Sequence, residues 1–317
     1  KAKPSTVAAA IPGSSPSFLA TQNGREPKKE DTMNPKRQMN RDKIRCLFLI
    51  LILAFFPLLS SAESIGPKVK AADGQSLKNP AVIKNLEEAK AKLQAGVNTR
   101  KLEFFQEARD LFLNCLMQEK PENPYLLYYV ALADFRLASS YLIAGNAAES
   151  ERNIGEGQKY LEKAMALDPQ FGEAEALYGY LMGMSLAFHP DQAMTLGMKS
   201  LEYLNGASDK DPDNPRIYFL KGNYQLYVPE EYGGGVDSAL QFLEKAVSLF
   251  EKENVADPLK PNWGRDETLT NAAMIYKQKK NEAKAVELLK KALAVNPDFG
   301  RAKAELAALE KKDPRRT

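Results

Sequence analysis

The feature that most constrains the fold is the stretch Asp266–Phe299, whose small and apolar residues follow two successive helical periods. Small residues at Ala273 and Ala285 would let two antiparallel helices approach closely, with Leu289 filling the space between them. Pro297 ends the second helix, because proline disfavours helical backbone in the residue before it. One hairpin of this kind cannot bury its apolar face alone, so the stretch predicts neighbouring pairs of the same type.

This spacing resembles the tetratricopeptide-repeat family, whose unit is a helix–turn–helix of about 34 residues. A longer run, Pro215–Phe299, is similar to a set of exported bacterial tetratricopeptide proteins without an assigned reaction. The resemblance implies an all-α fold, a right-handed tetratricopeptide-like α-solenoid. The family's small and apolar positions are occupied here by Leu269, Ala272, Ala273, Tyr276, Ala285, Leu289, Ala292 and Pro297.

The pattern divides residues 81–312 into about five helix pairs and a C-terminal capping helix, Gly300–Lys312. An insertion at residues 251–265 contains Pro258 and Pro261 and is predicted to be an irregular loop. Trp263, the only tryptophan, is expected to pack back onto the solenoid, and Asp266 is expected to cap the next helix. The predicted pairs are 81–96 with 101–118, 124–144 with 147–167, 172–188 with 191–207, 215–227 with 235–250, and the two helices of 266–299.

The N-terminal region has a different composition. Residues 1–38 are predicted to be disordered or to lie upstream of the native start, and residues 39–62 have the features of a secretory signal peptide. A basic segment precedes the apolar run Cys46–Leu59, and small residues follow at Ser60–Ala62. The run is shorter than the roughly 20 residues of a spanning helix, which favours cleavage over anchoring. Residues 63–80 are predicted to be a linker, and residues 313–317 a basic tail.

Charge and cysteine content narrow the possible partners and the location. Residues 1–62 contain ten Lys/Arg and four Asp/Glu, which leaves 34 basic and 37 acidic residues in the remainder. A near-balanced body argues against a nucleic-acid partner, which would require a basic face. After cleavage only Cys115 remains, so no internal disulfide is expected, and no Asn-x-Ser/Thr sequon is present. The predicted location is the periplasm of a bacterium, or the medium outside it.

Motifs of catalysis are missing from the sequence. It contains no G-x-S-x-G, H-E-x-x-H, C-x-x-C or P-loop motif, and His189 is its single histidine. The sequence therefore predicts a non-enzymatic protein without a cofactor or a metal. Aromatic residues on the first helix of the second pair favour either a packed core or a ligand-facing wall; they are Tyr125, Tyr128, Tyr129, Phe135 and Tyr141.

In the tetratricopeptide family, the first helices of successive pairs line a concave groove that binds peptide segments or partner domains. Equivalent positions in the repeat assign two sets of residues in this sequence to the groove. They are Arg216, Phe219, Asn223 and Leu226 in the fourth pair, and Glu267, Thr270, Met274 and Lys277 in the fifth.

The resemblance, the signal and the missing motifs together favour an exported protein-interaction scaffold that binds a protein or peptide partner. An uncleaved signal would give it a membrane contact, and N-terminal sequencing starting at Glu63 would exclude that form. The alternative is a small-molecule carrier or transporter accessory protein with an enclosed pocket in the solenoid. A cavity lined by Tyr128, Tyr129 and Met182 would favour the alternative.

Overall fold

The structure is a computed structural model, and it describes Leu77 and residues 79–120 and 122–312. The predicted leader, secretory signal and C-terminal tail lie outside the described residues, as does most of the predicted linker. Those assignments remain predictions.

The described residues form eleven α-helices in sequence and contain no β-strand. Short 3₁₀ turns occur at Ser185–Ala187, Pro190–Gln192 and Glu230–Tyr232. The helices are α1 Pro80–Thr99, α2 Leu102–Gln118, α3 Pro124–Ile143, α4 Ala147–Leu167, α5 Gly172–Met184, α6 Ala193–Lys210, α7 Pro215–Gln225, α8 Val236–Lys252, α9 Arg265–Gln278, α10 Glu282–Val295 and α11 Gly300–Lys312.

Consecutive helices pack as five antiparallel pairs, with α11 after the last pair, which confirms the predicted helical solenoid. Small residues set the close approach within a pair. A Cβ atom on Gly222 would lie 2.7 Å from Cγ of Leu243, and one on Gly179 would lie 2.8 Å from Cβ of Tyr203. A larger residue at Gly222 would push α7 away from α8, and one at Gly179 would push α5 away from α6.

The helix α3 is covered by its neighbours over most of its length, and its buried residues are mostly apolar. It is long and apolar enough to cross a membrane, with a mean hydropathy of 1.2, but 72% of that segment is buried inside the fold. An apolar helix buried by its neighbours is a core helix. Tyr128, Tyr129 and Phe135 belong to this core, as the first of the two interpretations of the aromatic group predicted.

Several helix ends differ from the sequence predictions by a few residues. The helix α5 ends at Met184, before the predicted Phe188, and a 3₁₀ turn follows. The helix α9 begins at Arg265, with Gly264 in the N-cap position at a φ of 98°, so the predicted cap by Asp266 is wrong. A positive φ suits glycine, which has no Cβ to clash. This frees the Asp266 carboxylate for contacts with other helices.

The register of the last pair can be tested by truncating Leu289, whose side chain is 1% exposed between α9 and α10. We expect Leu289→Ala to lower the free energy of unfolding by about 2–5 kcal/mol, because the cavity cannot be filled. Leu167→Ala, at a position that is 48% exposed, should change it by less than about 0.5 kcal/mol. Denaturant melts of both variants measure this, and equal effects would contradict the register.

Candidate functional site

The loop at residues 253–264 lies against the first helices of the pairs, the side of the array that we call the inner face. Prolines keep this loop from forming a helix, so its carbonyl groups need side-chain donors. The Tyr129 hydroxyl donates to the carbonyl of Leu259 at 3.0 Å. The Lys90 ammonium donates to the carbonyls of Pro258 and Lys260 at 2.5 and 3.0 Å. The loop is thereby joined to α1 and α3.

Trp263 anchors the loop, and only 6% of its surface is exposed. Its indole N–H donates to the hydroxyl of Tyr128 at 2.9 Å, and its ring meets Phe219 edge to face, with centroids 5.6 Å apart. The Tyr128 hydroxyl in turn donates to the buried carboxylate of Glu173. Burial, and next the Glu173 charge, raise the pKa of Tyr128 well above its ordinary value, so this donor stays protonated.

Arg216 is the second anchor, and its side chain is almost completely buried. The guanidinium donates to Glu253 at 2.5 Å and to the carbonyl of Pro261, both in the loop, and lies 3.5 Å from Glu173. A buried guanidinium needs such partners, because an unpaired charge in the interior costs several kcal/mol. Arg216 therefore connects α5, α7 and the loop.

The first pair contacts the last pair, so the array closes on itself. The amide of Gln94 on α1 donates to Asp266 at 3.2 Å, and the amide of Asn296 donates to Asn98 at 2.7 Å and to Asp266 at 2.5 Å. A Cβ atom on Gly300 would lie 2.7 Å from the carbonyl oxygen of Asn98. We call these contacts the closure seam.

The part of the inner face that the loop leaves uncovered carries a network of polar side chains. The Asn271 amide donates to Asn223 at 2.7 Å, and Arg301 donates to Asn271 at 2.8 Å, so one hydrogen-bonded row crosses α7, α9 and α11. One turn before Asn271, the Glu267 carboxylate accepts two hydrogen bonds from the Arg136 guanidinium, at 2.7 and 2.5 Å. We call this surface the inner basin; its residues are Arg136, Tyr180, Asn223, Leu226, Tyr227, Glu267, Asn271, Met274, Lys277, Arg301 and Glu305.

Two tyrosines lie near the charged side chains of the basin. Tyr227 is 59% exposed, yet burial raises its pKa, an effect that the charge of Arg301 opposes. Burial also raises the pKa of Tyr180, with Tyr227, Arg136 and Glu267 as its next largest influences. Both tyrosines therefore face the same side as the polar row.

The eight predicted groove residues divide into two groups. Arg216, Phe219 and Thr270 are 1%, 3% and 0% exposed, because the loop or the packing of α9 covers them. The others are partly exposed and lie in the inner basin, where Lys277 pairs with Glu305 at 2.8 Å; they are Asn223, Leu226, Glu267, Met274 and Lys277. That any of the eight contacts a partner remains a prediction.

Several basin residues were not selected from the sequence, although the repeat register contained a signal for two of them. Arg301 follows Glu267 by one repeat length, so both occupy the same register. Tyr180 follows Gly179 as Asn223 follows Gly222, which again places the two in one register. Arg136 had no such signal, because α3 is longer than a standard repeat helix. Among the described residues, no group of three His, Cys, Asp or Glu is placed to hold a metal ion.

The sequence profile of the family described as Tetratricopeptide repeat matches residues 138–171 and 266–299. These two segments of the chain are tetratricopeptide repeats. It is 34% identical over 120 residues to the TPR repeat-containing protein MJ0940 of Methanocaldococcus jannaschii, a match that covers 38% of this chain and 33% of that protein. The chain thus spans about a third of the length of this curated relative.

Solved structures were also found to be similar to the chain. The HusA haemophore from Porphyromonas gingivalis is 25% identical with a TM-score of 0.53, over 65% of this chain and 96% of that one. The thermophilic tetratricopeptide protein TTC0263 of Thermus thermophilus is 18% identical with a TM-score of 0.45, over 70% of this chain and 98% of that one. The tetratricopeptide fold supports a general role as a protein-interaction scaffold, and the family is typically non-catalytic.

The closure seam can be tested with a pair of glycine substitutions. We expect Gly300→Ala to lower the free energy of unfolding by about 1–3 kcal/mol, because a backbone oxygen of α1 cannot rotate away from the new methyl group. Gly155→Ala on α4 meets no atom within 4 Å and should be neutral or stabilise by up to about 1 kcal/mol. Thermal or denaturant melts measure both. A neutral Gly300→Ala would mean that α1 and α11 are not in contact.

Proposed function

We propose that this tetratricopeptide-repeat protein is a non-enzymatic scaffold that binds a segment of a partner protein in the inner basin. The observation that carries the proposal is the polar row from Asn223 through Asn271 to Arg301, which lies on the inner face, the side that is concave in repeat arrays of this type. Such a row offers amide donors and acceptors to an extended chain. Partly exposed Met274 and Leu226 offer it apolar contacts.

The closed array also supports a rigid site. Three of the first helices are tied to one loop by Lys90, Tyr129 and Arg216, so the inner face is fixed before a partner arrives. A site that needs little ordering loses less conformational entropy on binding. A rigid site of this kind favours a partner segment in one particular conformation and disfavours a broad range of partners.

We also propose that the protein acts in the bacterial envelope. The support is the predicted signal at residues 39–62, with its basic segment, its apolar run and Ser60–Ala62. N-terminal sequencing of the protein from its own cells should begin at Glu63. An N-terminus within residues 33–45 would show that the signal is retained. The proposal of a cleaved, exported protein would then be wrong, and the protein would be anchored.

Site-specific photo-crosslinking of the full chain in its own cells tests the site. A photo-reactive amino acid at Met274, or at Tyr227, should capture the same partner, because both positions face the inner basin. The matched control is Lys159, an exposed position on α4, which is the second helix of its pair. Capture of that partner equally from Lys159, or from Lys159 alone, would show that the binding surface is elsewhere.

A second candidate function is a carrier of a small molecule, and one observation favours it. The haemophore from Porphyromonas gingivalis matches this chain over 96% of its own length. A cavity lined by Tyr128, Tyr129 and Met182 would have favoured this candidate, but among the described residues both tyrosine rings are fully buried and both hydroxyls are hydrogen-bonded. A carried molecule would instead contact the tyrosines of the inner basin.

Titration of the full chain with haemin tests this candidate. A carrier should give a saturable change in the haem absorption band. Tyr227→Ala should weaken it several-fold by removing a ring that contacts the porphyrin, whereas Tyr160→Ala on α4 should not. No saturable change with the unmodified chain would remove haem as the cargo, and an equal loss in both variants would place the binding outside the basin.

A further inference from the structure

A cavity of about 580 Å³ lies between the fourth and fifth pairs and is lined mainly by their second helices, α8 and α10. Both helices pack on α9, but they have almost no contact with one another, so a space remains between them. None of the lining residues belongs to the inner basin. Sites that bind small molecules in proteins have volumes of about 300–1,000 Å³. We call this space the outer cavity.

The floor of the outer cavity is apolar. Phe250 and Leu269 are 2% and 4% exposed, while Val295 leaves 43% of its surface to solvent. An apolar group bound here would remove that exposed surface from water, which is favourable. Residues three and four positions apart lie on one face of a helix, and each second helix lines the cavity with such a set. The sets are Val247, Phe250 and Glu251 on α8, and Lys291, Ala294 and Val295 on α10.

The charged residues of the lining are one carboxylate and two cations. The ammonium of Lys291 lies 3.8 Å from the carboxylate of Glu251 and 3.3 Å from that of Glu287, so these charges offset one another. The guanidinium of Arg265 forms no hydrogen bond or ion pair with another described residue, and the residue is exposed. Arg265 is therefore the charge of the lining that has no counter-ion, which suits a ligand with one negative charge.

The floor and the start of α9 are held in place by the anchor of the loop. Phe250 lies beneath Arg216, with the guanidinium carbon 5.5 Å from the centre of the ring. A Cβ atom on Gly264 would lie 3.4 Å from Cζ of Phe250, so the residue before Arg265 rests on the same ring. The outer cavity is thus formed in the free protein, and a ligand would lose little free energy in ordering it.

We propose that the outer cavity binds a small organic acid, whose carboxylate pairs with Arg265 and whose apolar body lies on Leu269 and Val295. A guanidinium matches a carboxylate through two parallel hydrogen bonds. An anion with several charges fits less well, because Glu251 lines the same cavity. This site is independent of the proposed function, since it concerns a different surface and a different class of ligand.

Calorimetry or ligand-observed NMR on the full chain can compare 4-phenylbutyrate with its neutral analogue 4-phenylbutyramide. We expect the acid to bind at least roughly tenfold more tightly than the amide, as a charge-assisted hydrogen bond requires. Arg265→Gln should remove that preference, and the variant should fold because the residue is exposed. The matched control Arg152→Gln takes the same charge from an exposed pair on α4 and should keep the preference.

Filling the cavity tests its position. Ala294 is an exposed residue of the lining, so Ala294→Phe should leave the chain folded. The added ring should weaken the binding of both compounds at least roughly tenfold by occupying the cavity. Ala148→Phe places the same ring at an exposed position on α4 and should change neither affinity.

Three results would overturn the proposal. They are no saturable binding of 4-phenylbutyrate at millimolar concentration, equal affinities for the acid and the amide in the unchanged chain, and binding that Ala294→Phe leaves intact. Capture of a protein by a photo-reactive amino acid at Ala294 in the cells would assign the cavity to a partner segment and would equally exclude the small acid. The proposed function is judged separately, by crosslinking from Met274 and Tyr227 in the inner basin.

Discussion

The hydrogen bond from the Trp263 indole to the Tyr128 hydroxyl is the contact on which the rest of the structure depends. Tyr128 is fully buried on α3, and its hydroxyl also donates to Glu173 on α5. A buried hydroxyl, indole and carboxylate are each costly to bury unpaired, so the three groups stabilise the fold only when they are together. The loop that carries Trp263 is thereby held on the inner face.

The seated loop changes the shape of the array. In an open solenoid each repeat contacts its neighbours, and the inner face is a continuous groove. Here the loop links α1, α3 and α7 across that groove, and Asn98 and Asn296 join the first pair to the last. The inner face is therefore divided into a part that the loop covers and a partly exposed part, the inner basin.

The helix pairs could be predicted from the sequence because their signals are local. Spacings of small and apolar residues within about 34 positions predict both helices of a pair and the turn between them. The packing of Trp263 was also predicted, since a lone tryptophan in a proline-rich insertion has few other places to be buried. Closure could not be predicted, because Asn98 and Asn296 are far apart in sequence and carry no periodic pattern.

Positions within the repeat predicted the fold better than they predicted the residues of the site. Arg216 and Phe219 occupy groove positions by register, yet the inserted loop covers them. Asp266 occupies a helix-start position by sequence, yet its carboxylate belongs to the closure seam. In each case an insertion or a contact from another repeat overrides a rule that describes an isolated repeat.

The measurement that tests the account most directly is acrylamide quenching of Trp263 fluorescence, since the chain contains one tryptophan. A seated loop predicts a blue-shifted emission maximum and weak quenching in the native protein, both lost together on unfolding. Emission typical of a solvent-exposed indole, with quenching as strong in the native as in the unfolded chain, would contradict the account. The loop would then be free, and the inner face would be an open groove from the first pair to the last.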